Sequence, residues 1–279
     1  MAELYRTPAG REAIRSWCTA RLDQWAVPHQ RRTLSTTLGE TSVVTAGNGP
    51  AAVLYLPGTN FNAASSLSLV AALAVRFRVV VADLPGQPGL SAGRRPADRL
   101  AYGGWIDEIA GSVAVGPVVL AGHSLGAAAA LTADPAGVQG LLLLDPAGLI
   151  RLHVRPATVA ATLPWLLRPT PARSARLLAE MHARGRAPSR EHVEWMTLVA
   201  RHARTSLAPP PLPPGVLDRW RDTPRAVLCG DQDCFLPVPP LAGAVRTKLG
   251  VDLDVVEGAG HLTPEDQPGR IAEAVCALV

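Results

Sequence analysis

Lysine is nearly missing from this chain: of its 27 basic residues, every one but Lys248 is an arginine. Set against 23 acidic residues they leave a net charge of +4, and they run from Arg6 to Arg270 without a block of about five or six together. An excess so thinly spread reads as a bias of composition rather than a designed field, and it gives no footing for a nucleic-acid or anionic-membrane partner. Cysteine is scarce as well. Cys18, Cys229, Cys234 and Cys276 contain no C-x-x-C pair and no histidine at ligand spacing. Neither a zinc site nor a disulfide framework is indicated, and free thiols in a reducing compartment are expected. No uninterrupted apolar run reaches about 18 residues, and the segment MAELYRTPAGREAIRSW carries charges where a secretory signal would need its apolar stretch. The expectation is a cytoplasmic protein with no membrane and no nucleic-acid partner.

What is present is core-forming sequence. Of 279 residues 48% are hydrophobic, enough for one large domain or one domain with an insert. Thr7 before Pro8 is a helix-start signal, and Ile14, Trp17, Cys18 and Leu22 recur at helical spacing toward Trp25. A Thr- and Val-rich stretch from His29 to Thr45 with Gly39 at its middle reads as a hairpin. Six short apolar runs follow: Ala51 to Leu56, Arg78 to Ala82, Pro117 to Ala121, Leu141 to Leu144, Arg225 to Cys229 and Asp252 to Val256. Such runs suit strands covered on both faces. Helix-length segments Ala63 to Arg76, Trp105 to Val115 and Ala127 to Ala133 separate the first four. The fold class is therefore α/β, a mostly parallel central sheet flanked by helices. The alternation stops after Leu144. Residues 150–220 hold Trp165, Leu177, Met181, Trp195 and Met196 on proline-punctuated helical segments, and the Pro209 to Pro214 tract reads as an extended connection back to the sheet. The expected division is a core of residues 1–149 and 221–279 with a helical insert at 150–220.

The densest chemical signal is the run Val118 to Ala121 passing directly into Gly122-His123-Ser124-Leu125-Gly126 and then an alanine-rich helix. Glycines at 122 and 126 remove side chains that would collide across a tight strand-to-helix turn, leaving the Ser124 hydroxyl to project from the sheet's carboxyl edge. A serine hydroxyl needs a base, and the base needs an orienting carboxylate. His261, in a loop just beyond the last apolar run, is placed to reach Ser124. His153, His182, His192 and His202 belong to the insert, His29 to the hairpin, and His123 leaves the turn in another direction. Asp233 follows a strand at the same sheet edge and precedes His261. Asp231 and Asp145 are its rivals.

Ser124, Asp233 and His261 in this order, with the turn around the serine, resemble the α/β-hydrolase superfamily, and in particular its serine carboxylesterase-like members with a helical lid. Val53 to Asn60 is similar to the strand and turn that usually read His-Gly in that family, with Pro57 in place of the histidine. The resemblance implies that the backbone amides of Thr59 and Leu125 form an oxyanion hole, with a shift from Thr59 to Asn60 as an alternative. Asp83 to Ser91 is similar to the family's D-x-P-G-x-G-x-S loop, in which Asp83 is structural, and residues 150–220 take the place of the lid. Trp165, Met181, Trp195 and Met196 either face substrate there or fill the lid's own core.

The implied activity is cleavage of a carboxylic ester through an acyl-enzyme, with no metal or organic cofactor and a small-molecule substrate carrying an apolar acyl or aryl group. The same triad elsewhere acts on thioesters, amino-terminal peptide bonds or carbon-carbon bonds. For the last, Arg155, Arg168, Arg173, Arg184 and Arg190 are candidate substrate-binding groups, though a solvated face is the plainer reading of them. A serine at the elbow points away from the family's dehalogenases and epoxide hydrolases. A non-catalytic ligand receptor is the remaining alternative. Oligomeric state leaves no mark on the sequence.

Overall fold

The computed structural model describes residues 3–113, 116–205 and 209–279. The end of the helix expected to reach Val115 lies outside them, as do the first two residues and residues 206–208 of the insert. Thr7 caps the first helix, α1 (Pro8–Asp23), by accepting from the Gly10 amide. The hairpin is β1 (His29–Thr36) and β2 (Gly39–Ala46), turning at Gly39, whose φ of 100° lies in the region glycine enters freely. Then come β3 (Ala52–Leu56), α2 (Leu67–Ala74), β4 (Arg78–Ala82), α3 (Tyr102–Val113), β5 (Val118–His123), α4 (Leu125–Ala130) and β6 (Val138–Leu144). Four helices follow without a strand: α5 (Pro156–Leu167), α6 (Pro171–Met181), α7 (Arg190–His202) and the short α8 (Pro214–Asp218). The chain closes with β7 (Arg225–Gly230), α9 (Val238–Leu249), β8 (Leu253–Val256), α10 (Thr263–Asp266) and α11 (Pro268–Cys276). The proline tract departs from expectation at its end, since Pro214 opens α8. A proline at the first helical position loses no hydrogen bond.

The eight strands form one sheet in the order β1-β2-β4-β3-β5-β6-β7-β8. The hairpin joins antiparallel through β2 and β4, and every pair from β4 to β8 is parallel. The inner strands of the parallel part, β3 to β6, are apolar over most of their length because each face has its own cover. Val53 and Tyr55 of β3, and Leu142 and Leu144 of β6, enter a core roofed by α1, α2 and α11, whereas Leu54, Leu56, Leu141 and Leu143 enter a second core under α3, α4 and α9. The period of two is present and simply invisible to hydrophobicity.

The chain reverses direction around β3, which pairs with β4 on one side and β5 on the other. This places the loops leaving β3 and β5 at the switch point of an open α/β sheet, where the carboxyl ends of the strands leave a crevice. The segment between β6 and β7 folds against the first core rather than standing apart. Trp195 of α7 packs on Trp17 of α1 with ring centroids 4.7 Å apart, and the Arg204 amide donates to the Leu4 carbonyl.

Candidate active site

The turn after β5 is made by close backbone approach. A Cβ on Gly122 would lie 2.5 Å from the Gly126 carbonyl oxygen, and one on Gly126 would lie 2.0 Å from the Leu56 carbonyl oxygen. Real Cβ atoms do not approach oxygen so closely, so both glycines are required by packing. Between them Ser124 sits at φ 50° and ψ −110°, a conformation uncommon for a residue with a side chain, in which a strained turn presents the hydroxyl at the sheet edge. The loop after β3 lies directly on this turn: a Cβ on Gly58 would come within 2.7 Å of His123 Nδ1 and 3.3 Å of Ser124 Cβ.

Three side chains from separate loops converge there. Ser124 Oγ is 3.0 Å from His261 Nε2, and His261 Nδ1 is 2.8 Å from Asp233 Oδ2. An ionised carboxylate can only accept, so Nδ1–H donates to Asp233 and Nε2 faces the serine hydroxyl as acceptor. All three are buried, and the edge of the Phe235 ring packs on the imidazole at a centroid distance of 4.8 Å. Burial alone would raise the Asp233 pKa, but the facing His261 and the amides of Phe235 and Leu236, both donating to Oδ1, hold it below the ordinary carboxylate value. Burial would likewise depress His261, yet the charge and hydrogen bond of Asp233 prevail and leave it raised.

The rivals of Asp233 have other occupations. Asp231 accepts from the Ala259 amide, a loop contact. Asp145 is fully buried at the end of β6, where Oδ1 accepts from the Gly230 amide and the Thr263 hydroxyl and Oδ2 from the Thr263 amide. It thus ties together the loop carrying Asp233 and the loop carrying His261. Burial, helped by the charge of Asp233, raises its pKa far above the carboxylate norm. His123 is also absorbed into support. Its Nε2–H donates to the His261 carbonyl at 2.8 Å, and burial followed by repulsion from His261 lowers its pKa to about 3, so it is neutral. The remaining histidines lie elsewhere: His182 Nδ1 meets Asp266, His192 meets the Ser65 carbonyl, His29 meets the Val27 carbonyl, His153 is exposed, and His202 ends α7. Asp83 accepts from the amides of Ala63 and Leu90, holding two loops together.

Among the described residues, one group of three potential metal donors is close enough to share an ion: Asp145, Cys229 and Asp233. Its carboxylate oxygens are already taken by amides, a hydroxyl and His261, and burial pushes the Cys229 thiol far up, against the thiolate a metal needs. The cluster is a closed hydrogen-bonded unit.

The amides of Thr59, in the loop after β3, and Leu125, first in α4, are among those beside Ser124 that have no acceptor within the described residues. The neighbouring Asn60 amide, by contrast, donates to Gln87 Oε1 at 3.0 Å. Nothing local in sequence announces what steadies this loop. Trp195 of α7, 135 positions away, donates its indole N–H to the Asn60 carbonyl at 2.7 Å. Trp195, Trp165 and Met196 are buried in packing, and Trp165 donates to the Met196 carbonyl. The arginines of the insert do not form a polar lining: Arg168, Arg184 and Arg190 are exposed, Arg155 donates to the carbonyls of Asp233 and Cys234, and Arg173 donates to those of Pro164 and Arg168.

This architecture has many counterparts. A putative hydrolase from Bacillus subtilis is similar over 97% of this chain and 99% of its own, with a TM-score of 0.83 at 17% identity. The carboxylesterase CesB of the same organism gives 0.78 at 18% identity, over 97% of this chain and 98% of its own. Naproxen esterase, also from Bacillus subtilis, gives 0.78 at 19% identity over 94% and 95%. Identities this low speak for a shared fold alone. No curated protein matches the sequence. The model of the alpha/beta hydrolase family, however, aligns with residues 53–274, from β3 to α11 and through the loops that carry Ser124, Asp233 and His261. The chain belongs to the alpha/beta hydrolase family.

Proposed function

We propose that this protein is a serine hydrolase that cleaves carboxylic esters through an acyl-enzyme intermediate. The observation that carries the reading is the continuous relay from Ser124 Oγ through His261 to Asp233, with spacings of 3.0 and 2.8 Å. In this mechanism Ser124 attacks the ester carbonyl as His261 Nε2 accepts its proton. The carbonyl oxygen becomes an oxyanion that receives the amides of Thr59 and Leu125. His261 then gives the proton to the leaving alcohol, and in a second half-reaction takes a proton from the water that attacks the acyl-serine and passes it back to Ser124 Oγ as the acid leaves. Asp233 stays ionised throughout, fixing the imidazole tautomer and stabilising the imidazolium. The chemistry needs no metal or organic cofactor.

An apolar acyl or aryl substrate fits the reading, since a carboxylate-bearing substrate would call for free basic groups and the insert's arginines are either exposed or engaged with backbone carbonyls. In this account residues 150–220 act as a lid, and Trp195 couples them to the oxyanion loop through the Asn60 carbonyl. The test is hydrolysis of a short-chain aryl ester alongside the matching thioester and an amino-acyl arylamide. Ester turnover should dominate, Ser124→Ala should lower it by about 10⁴-fold or more, and a fluorophosphonate should label Ser124 and no other residue. An active Ser124→Ala variant would end the proposal, and a protein inert toward every acyl substrate would favour the carbon-carbon or the receptor reading instead.

A further inference from the structure

The helix α5 is apolar on two sides. Its buried residues are Thr158, Ala161 and Trp165, one narrow stripe. On the opposite side Val159, Leu163 and Leu167 follow each other at intervals of one helical turn, 39%, 52% and 79% exposed, and Val154 just before the helix is 55% exposed. Ala157 and Ala160 are exposed between them. Half of the exposed large hydrophobic residues among those described therefore lie in this one stretch, while Val75, Leu100, Val255 and Val279 are scattered. A contiguous outward apolar face marks something that covers it.

Charge selects the occupant. From Asp145 to Glu180 there is no acidic residue, whereas Arg151, Arg155, Arg168, Arg173 and Arg176 and also His153 lie in the interval. None of the five arginines forms an ion pair among the described residues. Arg155 and Arg173 hold the two ends of α5 by donating to backbone carbonyls, so their charge remains beside the helix, and Arg151, Arg168 and Arg176 are exposed. A second copy docking symmetrically would set these arginines against one another. A protein partner would have to match an apolar strip with acidic groups at both of its ends. An anionic bilayer offers both at once, headgroup charge for the arginines and acyl chains for Val159, Leu163 and Leu167.

We propose that the outward face of α5 docks on membranes containing anionic lipid. The helix, 12 residues long, is too short to cross a bilayer and lies along its surface. The inference reverses the expectation of no membrane partner, and it stands apart from the chemistry at Ser124.

The test is cosedimentation of the full chain with vesicles of phosphatidylglycerol and phosphatidylcholine in equal parts, and with phosphatidylcholine alone. Binding to the anionic vesicles is expected, weaker by about tenfold or more on the neutral ones and in high salt. Leu163→Glu combined with Leu167→Glu should lower binding by more than about tenfold. Because both residues are exposed, thermal unfolding of this variant should match the parent. Arg168→Ala with Arg176→Ala gives an independent reading, with a loss of about tenfold. The proposal falls if anionic vesicles do not bind, if both vesicle types bind equally, or if neither variant weakens binding. It falls also if analytical ultracentrifugation finds a dimer that the leucine variant dissociates, since a second copy then covers the face.

Discussion

Asp145 and Asp233 leave adjacent parallel strands at the same sheet edge, and both are buried, yet the structure drives their charge in opposite directions. Asp233 faces His261, which can become a cation, and two amides donate to its other oxygen; its pKa is lowered. Asp145 receives a comparable number of hydrogen bonds, but the nearest histidine is His123 at 3.6 Å, held neutral by burial, and the nearest charge is that of Asp233 itself. Its pKa is raised. Hydrogen bonds alone therefore do not keep a buried carboxylate ionised; a partner able to carry positive charge does. Once one carboxylate of such a pair is ionised, it pushes the other toward the neutral form. The two aspartates divide the work accordingly, one facing His261 and the other tying the loops that hold the pair.

Substitutions at the two positions break or sharpen this contrast. Asp233→Asn should lower kcat for an aryl ester by about 10³ to 10⁴, because an amide in place of the carboxylate favours the wrong tautomer and leaves the imidazolium unsupported. A loss of less than about tenfold would remove Asp233 from the relay. Asp145→Ala should act on stability, costing about 2 to 4 kcal/mol in urea unfolding, since the Gly230 amide and Thr263 lose a buried acceptor.

Asp145→Asn should keep kcat within about tenfold, because a group already disposed to be neutral is replaced by a neutral one. Its raised folded pKa means that the ionised form opposes folding. Stability from this site is therefore full below the unfolded carboxylate value near 4 and is lost as pH rises toward the folded value. The difference in unfolding free energy between Asp145→Asn and the parent should move in favour of the variant between about pH 5 and about pH 8. The smallest effect is kinetic. His261 must be neutral to act as base and its pKa is raised, so kcat/KM should climb with pH through a midpoint above the ordinary imidazole value of about 6.5. In the residual activity of Asp233→Asn that midpoint should fall, since the charge favouring imidazolium is gone. A midpoint unmoved or raised would show that another group sets it.

The parallel strands were legible because each is a run of apolar residues bounded by turn formers, and the hairpin because threonine and valine flank Gly39. The steric requirement for Gly122 and Gly126 is legible in the sequence, and the contacts a Cβ would make with the Gly126 and Leu56 carbonyls supply the distances behind it. His261 and Asp233 stood out because both follow sheet strands late in the chain. The choice between Asp233 and Asp145 was not legible in the same way, since both end strands beside the elbow and only the direction of the His261 ring separates them. The hydrogen bond from Trp195 to the Asn60 carbonyl has no counterpart in local pattern at all. It joins α7 to a loop from the other half of the chain, and its indole would look the same if it merely filled a core.

What the sequence determined by itself is everything set by neighbours along the chain: where strands and helices form, the turn that lifts Ser124 to the sheet edge, and the order in which the reactive residue types occur. These follow from side-chain size and backbone freedom within a few residues. The tertiary structure alone decided which buried aspartate meets a histidine, which amides near Ser124 stay free, and that Val159, Leu163 and Leu167 of α5 are left bare. Charge state and exposure are sums over groups brought together from distant positions, and no short stretch of sequence contains that sum.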